Sequence, residues 1–181
     1  ISMIVILISG VIVMLFVIDI KDYINAWVLP YGQMILLKHI SIIPLFAFAC
    51  INGILVRKMR KLPTFNPQPW IKAESVSILI VFFFTGILGT LSPPHDIDQT
   101  VKSEGVANWI MELISRPIKL PVNLEITASL QGGVAILFGV SFLIMIFLSF
   151  YKRKSPFLAV FLTICFIIST YLGLMTSIEI R

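Results

Sequence analysis

The stretch YGQMILLKHISIIPLFAFACINGILV, residues 31–56, decides the fold of this chain. An α-helix needs about 20 apolar residues to cross a bilayer core of about 30 Å, so this stretch is long enough to span a membrane. The whole chain is similarly apolar: its mean hydropathy is +1.01, and 13% of its residues are charged, against about 25% in soluble domains. The sequence therefore predicts a membrane protein.

Five apolar runs of spanning length occur along the chain. They cover residues 1–18, 34–56, 75–91, 130–150 and 156–176. We therefore predict an all-α fold, a polytopic transmembrane helical bundle of about five spans that forms a single membrane domain over residues 1–181. Because Ile1 already lies inside an apolar run, with no initiator Met and no basic region before it, we also expect the sequence to be a fragment or a processed chain.

The formal net charge of +5 is concentrated between the spans. One basic cluster follows the second run and another follows the fourth: they comprise Arg57, Lys58, Arg60, Lys61 and Lys72, and then Lys152, Arg153 and Lys154. The positive-inside rule predicts a multi-pass protein of the cell membrane, with loops 57–72 and 152–154 cytoplasmic and loop 92–129 extracytoplasmic. Short basic clusters beside spans orient membrane proteins, so we expect the partner to be the lipid bilayer and not a nucleic acid.

The loop 92–129 is the longest segment outside the apolar runs. Within it, VANWIMELIS, residues 106–115, has its apolar side chains at helical spacing, on one side of a helix. We predict a short amphipathic helix there, lying on the outer membrane surface.

Chemistry depends on the polar residues in or beside the spans, because such residues are costly in lipid and mark function or helix packing. The sequence contains no nucleophile motif, phosphate-binding loop, HExxH motif or carboxylate pair, and we predict that the protein is not an enzyme. In the second span, Lys38 and Asn52 are fourteen residues apart and lie within about 40° of each other around a helix. Glu74, near the inner end of the third span, can pair with the basic cluster or point into the bundle as part of an ion path.

The two histidines are predicted to lie near the same membrane face. His39 lies below the outer end of the second span, where Met34 also lies, and His95 follows the third span directly before Asp96. Imidazole and thioether groups are ligands that copper favours. We therefore predict a copper site of His39, His95 and Met34, with Asp96 as an oxygen ligand or a hydrogen-bond partner of a ligand. The alternative is that each histidine only hydrogen-bonds a neighbour.

The stretch WVLPYGQMILLKHISIIPLFAFACINGILVRKMRK, residues 27–61, resembles the core motif of the CopD family of bacterial copper-resistance membrane proteins. The shared features are a Pro-Tyr-Gly turn, a Lys in the following apolar helix, an Asn near its end and a basic loop. The stretch WIKAESVSILIVFFFTGILGTLSPPHD, residues 70–96, is also similar, with a Glu opening the helix and a Pro-Pro pair after it. Lys38, Asn52 and Glu74 are the positions that match.

This resemblance implies copper handling at the cytoplasmic membrane, often with a CopC-like extracytoplasmic copper-binding domain or protein as a partner. It implies a CopD-like core over about residues 1–96, followed by an additional two-helix segment over about 130–176. The leading hypothesis is therefore copper transport or copper resistance, with copper in an oxidation state that the sequence does not specify. Two alternatives stay open: a haem-binding electron-transfer subunit with two axial histidines, and a membrane scaffold or assembly factor without a metal.

Overall fold

The computed structural model describes Gly10, Ile12, residues 22–55, Arg57, Asn66 and residues 68–94, 96–107, 109–110 and 120–180. The described part of the chain is almost entirely helical. Its helices are α1 (Pro30–Cys50), α2 (Gln68–Leu88), α3 (Ile97–Glu104), α4 (Leu130–Tyr151) and α5 (Pro156–Met175). A 3₁₀ turn, Asn25–Val28, precedes α1, and two short strands, β1 (Leu124–Ile126) and β2 (Ile178–Ile180), flank the last two helices.

Four of the described helices are long and apolar enough to cross a membrane. These candidate spans are Pro30–Gly53, Gln68–Leu88, Leu130–Tyr151 and Pro156–Met175. They correspond to the second to fifth predicted spans, and they confirm an all-α, multi-pass membrane fold. The first predicted span, residues 1–18, lies outside the described residues apart from Gly10 and Ile12, which are helical.

Pro30 and Gly32 determine how helix α1 begins. Pro30 occupies its first turn, where the missing N–H is not needed for a helical hydrogen bond. A Cβ at Gly32 would lie 1.9 Å from the carbonyl oxygen of Ala26, so only glycine allows the helix to approach the preceding turn this closely. At its other end α1 passes into a π-turn, Ile51–Leu55.

Helices α4 and α5 form an antiparallel hairpin and have the most extensive mutual packing among the described elements. Added Cβ atoms would meet the neighbouring helix at Gly132, 2.7 Å from the Gly173 carbonyl oxygen, and at Gly139, 2.6 Å from Thr170 Oγ1. Glycine at these two positions therefore allows the helices to pack closely. At Gly86 and Gly133, by contrast, an added Cβ has no neighbour within 4 Å among the described residues.

The segments that connect the helices at one end of the bundle form what we call the cap layer, residues 22–29, 96–107, 120–129 and 176–180. Hydrogen bonds join its parts: Ala107 N–H donates to the Val28 carbonyl over 3.1 Å, and Leu124 N–H donates to Asn25 Oδ1 over 2.8 Å. Strand β1 pairs antiparallel with β2, with Glu125 opposite Glu179. The loops predicted to share one membrane face therefore do lie together.

The long loop contains a short helix that the sequence analysis did not predict. Helix α3 covers Ile97–Glu104, upstream of the predicted 106–115, and is strongly amphipathic. Within the predicted segment, Val106 and Ala107 are not helical, Trp109 and Ile110 are, and the other residues lie outside the described part.

Buried apolar side chains form a main cluster toward each end of the bundle. The cluster under the cap layer includes Trp27, Leu36, Ile40, Phe166 and Met175. The cluster at the opposite end includes Phe48, Ile51, Trp70, Ile146 and Phe150. We call this second end the basic end, because Arg57, Lys72 and the turn Lys152–Lys154 all lie there, exposed.

Candidate functional site

His39 lies on α1, about two and a half turns from the start of the helix, and is half-buried. Its Nδ1 atom is 2.9 Å from the hydroxyl oxygen of Tyr23, and the two ring centroids are 5.9 Å apart. Tyr23 is in turn held by an edge-to-face contact with the buried Trp27, with centroids 5.7 Å apart. The imidazole is therefore fixed at the boundary between α1 and the cap layer.

The Tyr23 contact decides which ring nitrogen of His39 can bind a ligand. Burial raises the pKa of Tyr23 to about 12, so the phenol is neutral at physiological pH. A neutral phenol can donate to Nδ1 or accept from it. When Nδ1–H donates to the phenol oxygen, the lone pair of Nε2 is free for a metal, as in metal sites where a partner group fixes the histidine tautomer.

The other predicted copper ligands are distributed as follows. Met34 is half-buried on α1, but it is five residues from His39, about 140° away around the helix and about 7.5 Å along it. Asp96 is exposed and caps α3, its Oδ1 accepting from Gln99 N–H over 3.1 Å. His95 lies outside the described residues.

The described residues contain no group of three or more His, Cys, Asp and Glu side chains that could hold a metal. The chemistry of His39 and Met34 suits copper, but the described contacts do not bring Met34, His39 and Asp96 together. The four-residue copper site therefore stays a prediction.

Two of the three family-matching positions are in direct contact. Asn52 Nδ2 donates to Glu74 Oε2 over 2.7 Å and to the Trp70 carbonyl oxygen over 3.2 Å. Asn52 lies in the π-turn after α1 and Glu74 on α2, so the contact joins these two spans near the basic end. Lys38 is half-buried on α1, about 21 Å of helix rise away.

Glu74 is half-buried and accepts from Asn52. Of the basic cluster, Arg57 and Lys72 are described and exposed, whereas Lys58, Arg60 and Lys61 lie outside the described residues. The described contact of the Glu74 carboxylate is therefore with another span, and both interpretations of Glu74 stay predictions.

Gln33 is a buried polar residue that the sequence analysis missed. Its side chain is 0% exposed and joins α1 to α5. Tyr171 O–H donates to Gln33 Oε1 over 2.7 Å, while Nε2 contacts Met175 Sδ at 3.4 Å and donates to the Trp27 carbonyl. The signal in the sequence is an amide placed in the first turn of a span, where burial requires a partner on another helix.

A comparison with protein families gives a match in the N-terminal half of the chain. The CopD family model, described as copper resistance protein D, matches residues 1–88. The matched segment includes Lys38, His39, Asn52 and Glu74 and ends at the last residue of α2, before His95 and Asp96. No curated protein and no solved structure matches the chain significantly. Over residues 1–88, just under half of its length, the chain is therefore similar to the CopD family of copper-resistance membrane proteins.

Proposed function

We propose that this protein transports copper across the cytoplasmic membrane or confers copper resistance there. The observation that carries the proposal is the CopD match over residues 1–88, on a chain with four apolar helices of spanning length among its described residues. Copper is the cargo in this proposal. No side-chain arrangement in the described residues argues for a chemical reaction, and the proposed role is that of a transporter or resistance protein and not of an enzyme.

The loop sides and the partner belong to the same proposal. The basic end, with loops 57–72 and 152–154, is cytoplasmic, and the cap layer with loop 92–129 is extracytoplasmic; the distribution of Lys and Arg supports this orientation. A CopC-like copper-binding domain or protein would then meet the cap layer. Residues 1–96 form the CopD-like core, and residues 130–176 an additional helical hairpin.

Copper accumulation and copper tolerance in cells with and without the intact gene test this function directly. We expect loss of the gene to change the cellular copper content or the tolerated copper concentration, and the wild-type gene to restore it. A variant at an exposed position, Gln131→Ala, serves as the control and should restore as well as wild type. If loss of the gene changes neither the cellular copper content nor the tolerated copper concentration, the proposal is wrong.

A separate binding experiment tests the proposed ligands. His39→Ala and His95→Ala should each weaken copper binding by the purified protein in detergent. Tyr23→Phe removes the partner of Nδ1 and should weaken it on the order of 10-fold, which is typical when a hydrogen-bond partner of a ligand is lost. Unchanged affinity in both histidine variants would remove this site and leave the similarity to the CopD family intact.

A further inference from the structure

The side-chain amide of Asn52 uses its donor group and leaves its acceptor unpaired. Asn52 donates two hydrogen bonds from Nδ2, to Glu74 Oε2 at 2.7 Å and to the Trp70 carbonyl at 3.2 Å. Its Oδ1 atom is buried and has no hydrogen-bond partner among the described residues. An unpaired buried acceptor is unfavourable and therefore requires an explanation.

The surroundings of this contact are apolar. Trp70 is 4% exposed, packs edge-to-face on Phe150 with centroids 4.9 Å apart, and belongs to the buried cluster at the basic end. In such surroundings a carboxylate interacts strongly with the few polar groups that reach it, because solvent screening is weak.

Among the described residues, the charged side chains at this end do not pair with Glu74. On the same helix Lys72 is exposed, beyond α1 Arg57 is exposed, and at the end of α4 the turn Lys152–Lys154 is exposed; Lys58, Arg60 and Lys61 lie outside the described residues. The titratable side chains on the basic-end halves of the packed helices are Cys50 on α1, Tyr151 on α4 and Cys165 on α5, whereas Tyr31, Lys38 and His39 on α1 and Tyr171 on α5 lie toward the cap layer. Among the described residues, Asn52 is the one side chain that hydrogen-bonds the Glu74 carboxylate.

We propose that Glu74 is a proton-binding site within the membrane domain and that Asn52 is its hydrogen-bond partner in both protonation states. The ionised carboxylate accepts from Nδ2–H, as in the structure. The protonated carboxyl has an O–H to donate, and a half-turn of the amide presents Oδ1 as its acceptor. A hydronium ion from the water at the basic end supplies the proton: one of its O–H bonds breaks, an O–H bond forms on a carboxylate oxygen, and a water molecule is left.

The exchange changes few other contacts. The half-turn replaces the bond from Nδ2 to Glu74 by one from the carboxyl O–H to Oδ1 and gives up the longer bond from Nδ2 to the Trp70 carbonyl, so in the protonated state Nδ2 is the unpaired end of the amide. The Trp70 carbonyl keeps its helical partner, the N–H of Glu74 four residues on. The π-turn at Ile51–Leu55 places Asn52 where α1 departs from regular helix, a kind of distortion that is frequent at functional sites. Use of this proton to couple copper transport rests on the proposed function, whereas the proton site itself does not.

Infrared spectroscopy of the full chain in detergent, without copper, tests the proton site. Acid-minus-neutral difference spectra are compared for wild type, Glu74→Gln, Asn52→Leu and Glu104→Gln, in which an exposed carboxylate outside the spans is removed. We expect a narrow protonated-carboxyl band that is lost in Glu74→Gln and kept in Glu104→Gln. In Asn52→Leu the band should shift to higher frequency, because its carboxyl has lost the amide partner.

Each outcome has a definite meaning. Difference spectra of wild type and Glu74→Gln without a distinct band would overturn the proton site. A Glu74 band that keeps its frequency in Asn52→Leu would overturn the role of the amide. Thermal unfolding of all four proteins shows whether a missing band reflects an unfolded variant or the loss of the protonated carboxyl group. Because no copper is present, a failure here is distinct from a failure of the copper function, which the cellular experiment measures.

Discussion

Helices α1 and α2 differ from the hairpin of α4 and α5 in how they use polar side chains. In the first pair, Gln33 bonds to α5, His39 to the cap layer and Asn52 to α2, all over long distances in sequence. Hydroxyl groups in both regions donate to carbonyls of their own helix one turn back, as Thr163 does to Ala159 and Ser77 to Ala73. The difference therefore lies in the amide, imidazole and carboxylate side chains of the first pair.

The difference separates the tasks of the two regions. Neither α4 nor α5 contains a charged residue, and close approach at glycines brings them together. The CopD-matched region instead holds ionisable and amide groups inside the bundle, where each needs a partner. The ionisable side chains inside the described spans therefore lie mainly in the matched region, whereas the hairpin helices carry no charged residue.

The largest expected effect on stability is in the hairpin. Gly132→Ala would place a Cβ 1.9 Å from Ser177 Oγ and 2.7 Å from the Gly173 carbonyl, so we expect a loss of about 1–3 kcal/mol in the free energy of unfolding. Gly133→Ala is the matched control, since its Cβ meets nothing within 4 Å, and a gain of about 0.5–1 kcal/mol is expected there. Denaturant unfolding in detergent measures both; equal effects at the two positions would contradict the close packing.

Gln33→Leu tests the link between the two regions. It leaves the Tyr171 hydroxyl without its acceptor, and we expect a loss of about 1–3 kcal/mol in unfolding free energy. The double variant Gln33→Leu with Tyr171→Phe should recover part of that loss, because neither polar partner then remains. Gln131→Leu, at an exposed position, is the control. A double variant no more stable than Gln33→Leu would show that the hydrogen bond is not the cause.

Two variants of Asp96 distinguish its role as the N-cap of α3 from a role as a copper ligand. Asp96→Ala removes the N-cap of α3 and should cost about 1 kcal/mol in unfolding free energy, whereas Asp96→Asn keeps a good cap and should cost little. Copper affinity of the Asn variant then reports on ligation alone. A stable Asp96→Asn protein with unchanged copper affinity would restrict Asp96 to capping.

The smallest expected effect is the change in unfolding free energy when Tyr23 titrates at alkaline pH. Burial raises its pKa from the ordinary value of 10.0 to about 12, so between about pH 10 and 12 the unfolded state binds fewer protons than the folded state. Its contribution to stability is full below pH 10 and is lost as pH rises to 12. Tyr23→Phe should lose less stability over this interval than wild type, and Tyr151→Phe, at an exposed position, should behave as wild type. Parallel curves for wild type and Tyr23→Phe would contradict the burial argument.

Hydropathy predicts the helices of this protein well, because a helix that spans the bilayer needs an apolar run of matching length. The run 156–176 and the helix Pro156–Met175 differ by one residue at the end. The strand pair was not predicted, because three residues on each side, separated by about fifty residues, give no periodicity to detect.

The site was less predictable than the helices. Sequence spacing relates residues on one helix, and it identified Lys38 and Asn52 as neighbours in angle. It cannot show that Asn52 meets Glu74, or that Gln33 meets Tyr171, since those contacts depend on which faces of separate helices meet. The convergence of His39 and His95 stays a prediction for the same reason.

Strands β1 and β2 have a mechanical consequence for the hairpin. Each strand is joined to its helix by two or three residues, Thr127–Ser129 before α4 and Thr176–Ser177 after α5. These joints are themselves tied, because Thr127 N–H donates to the Ser177 carbonyl over 2.7 Å. The strand pair joins the two helices at the cap layer and the turn Lys152–Lys154 joins them at the other end, so they cannot slide lengthwise past one another without breaking the strand pair.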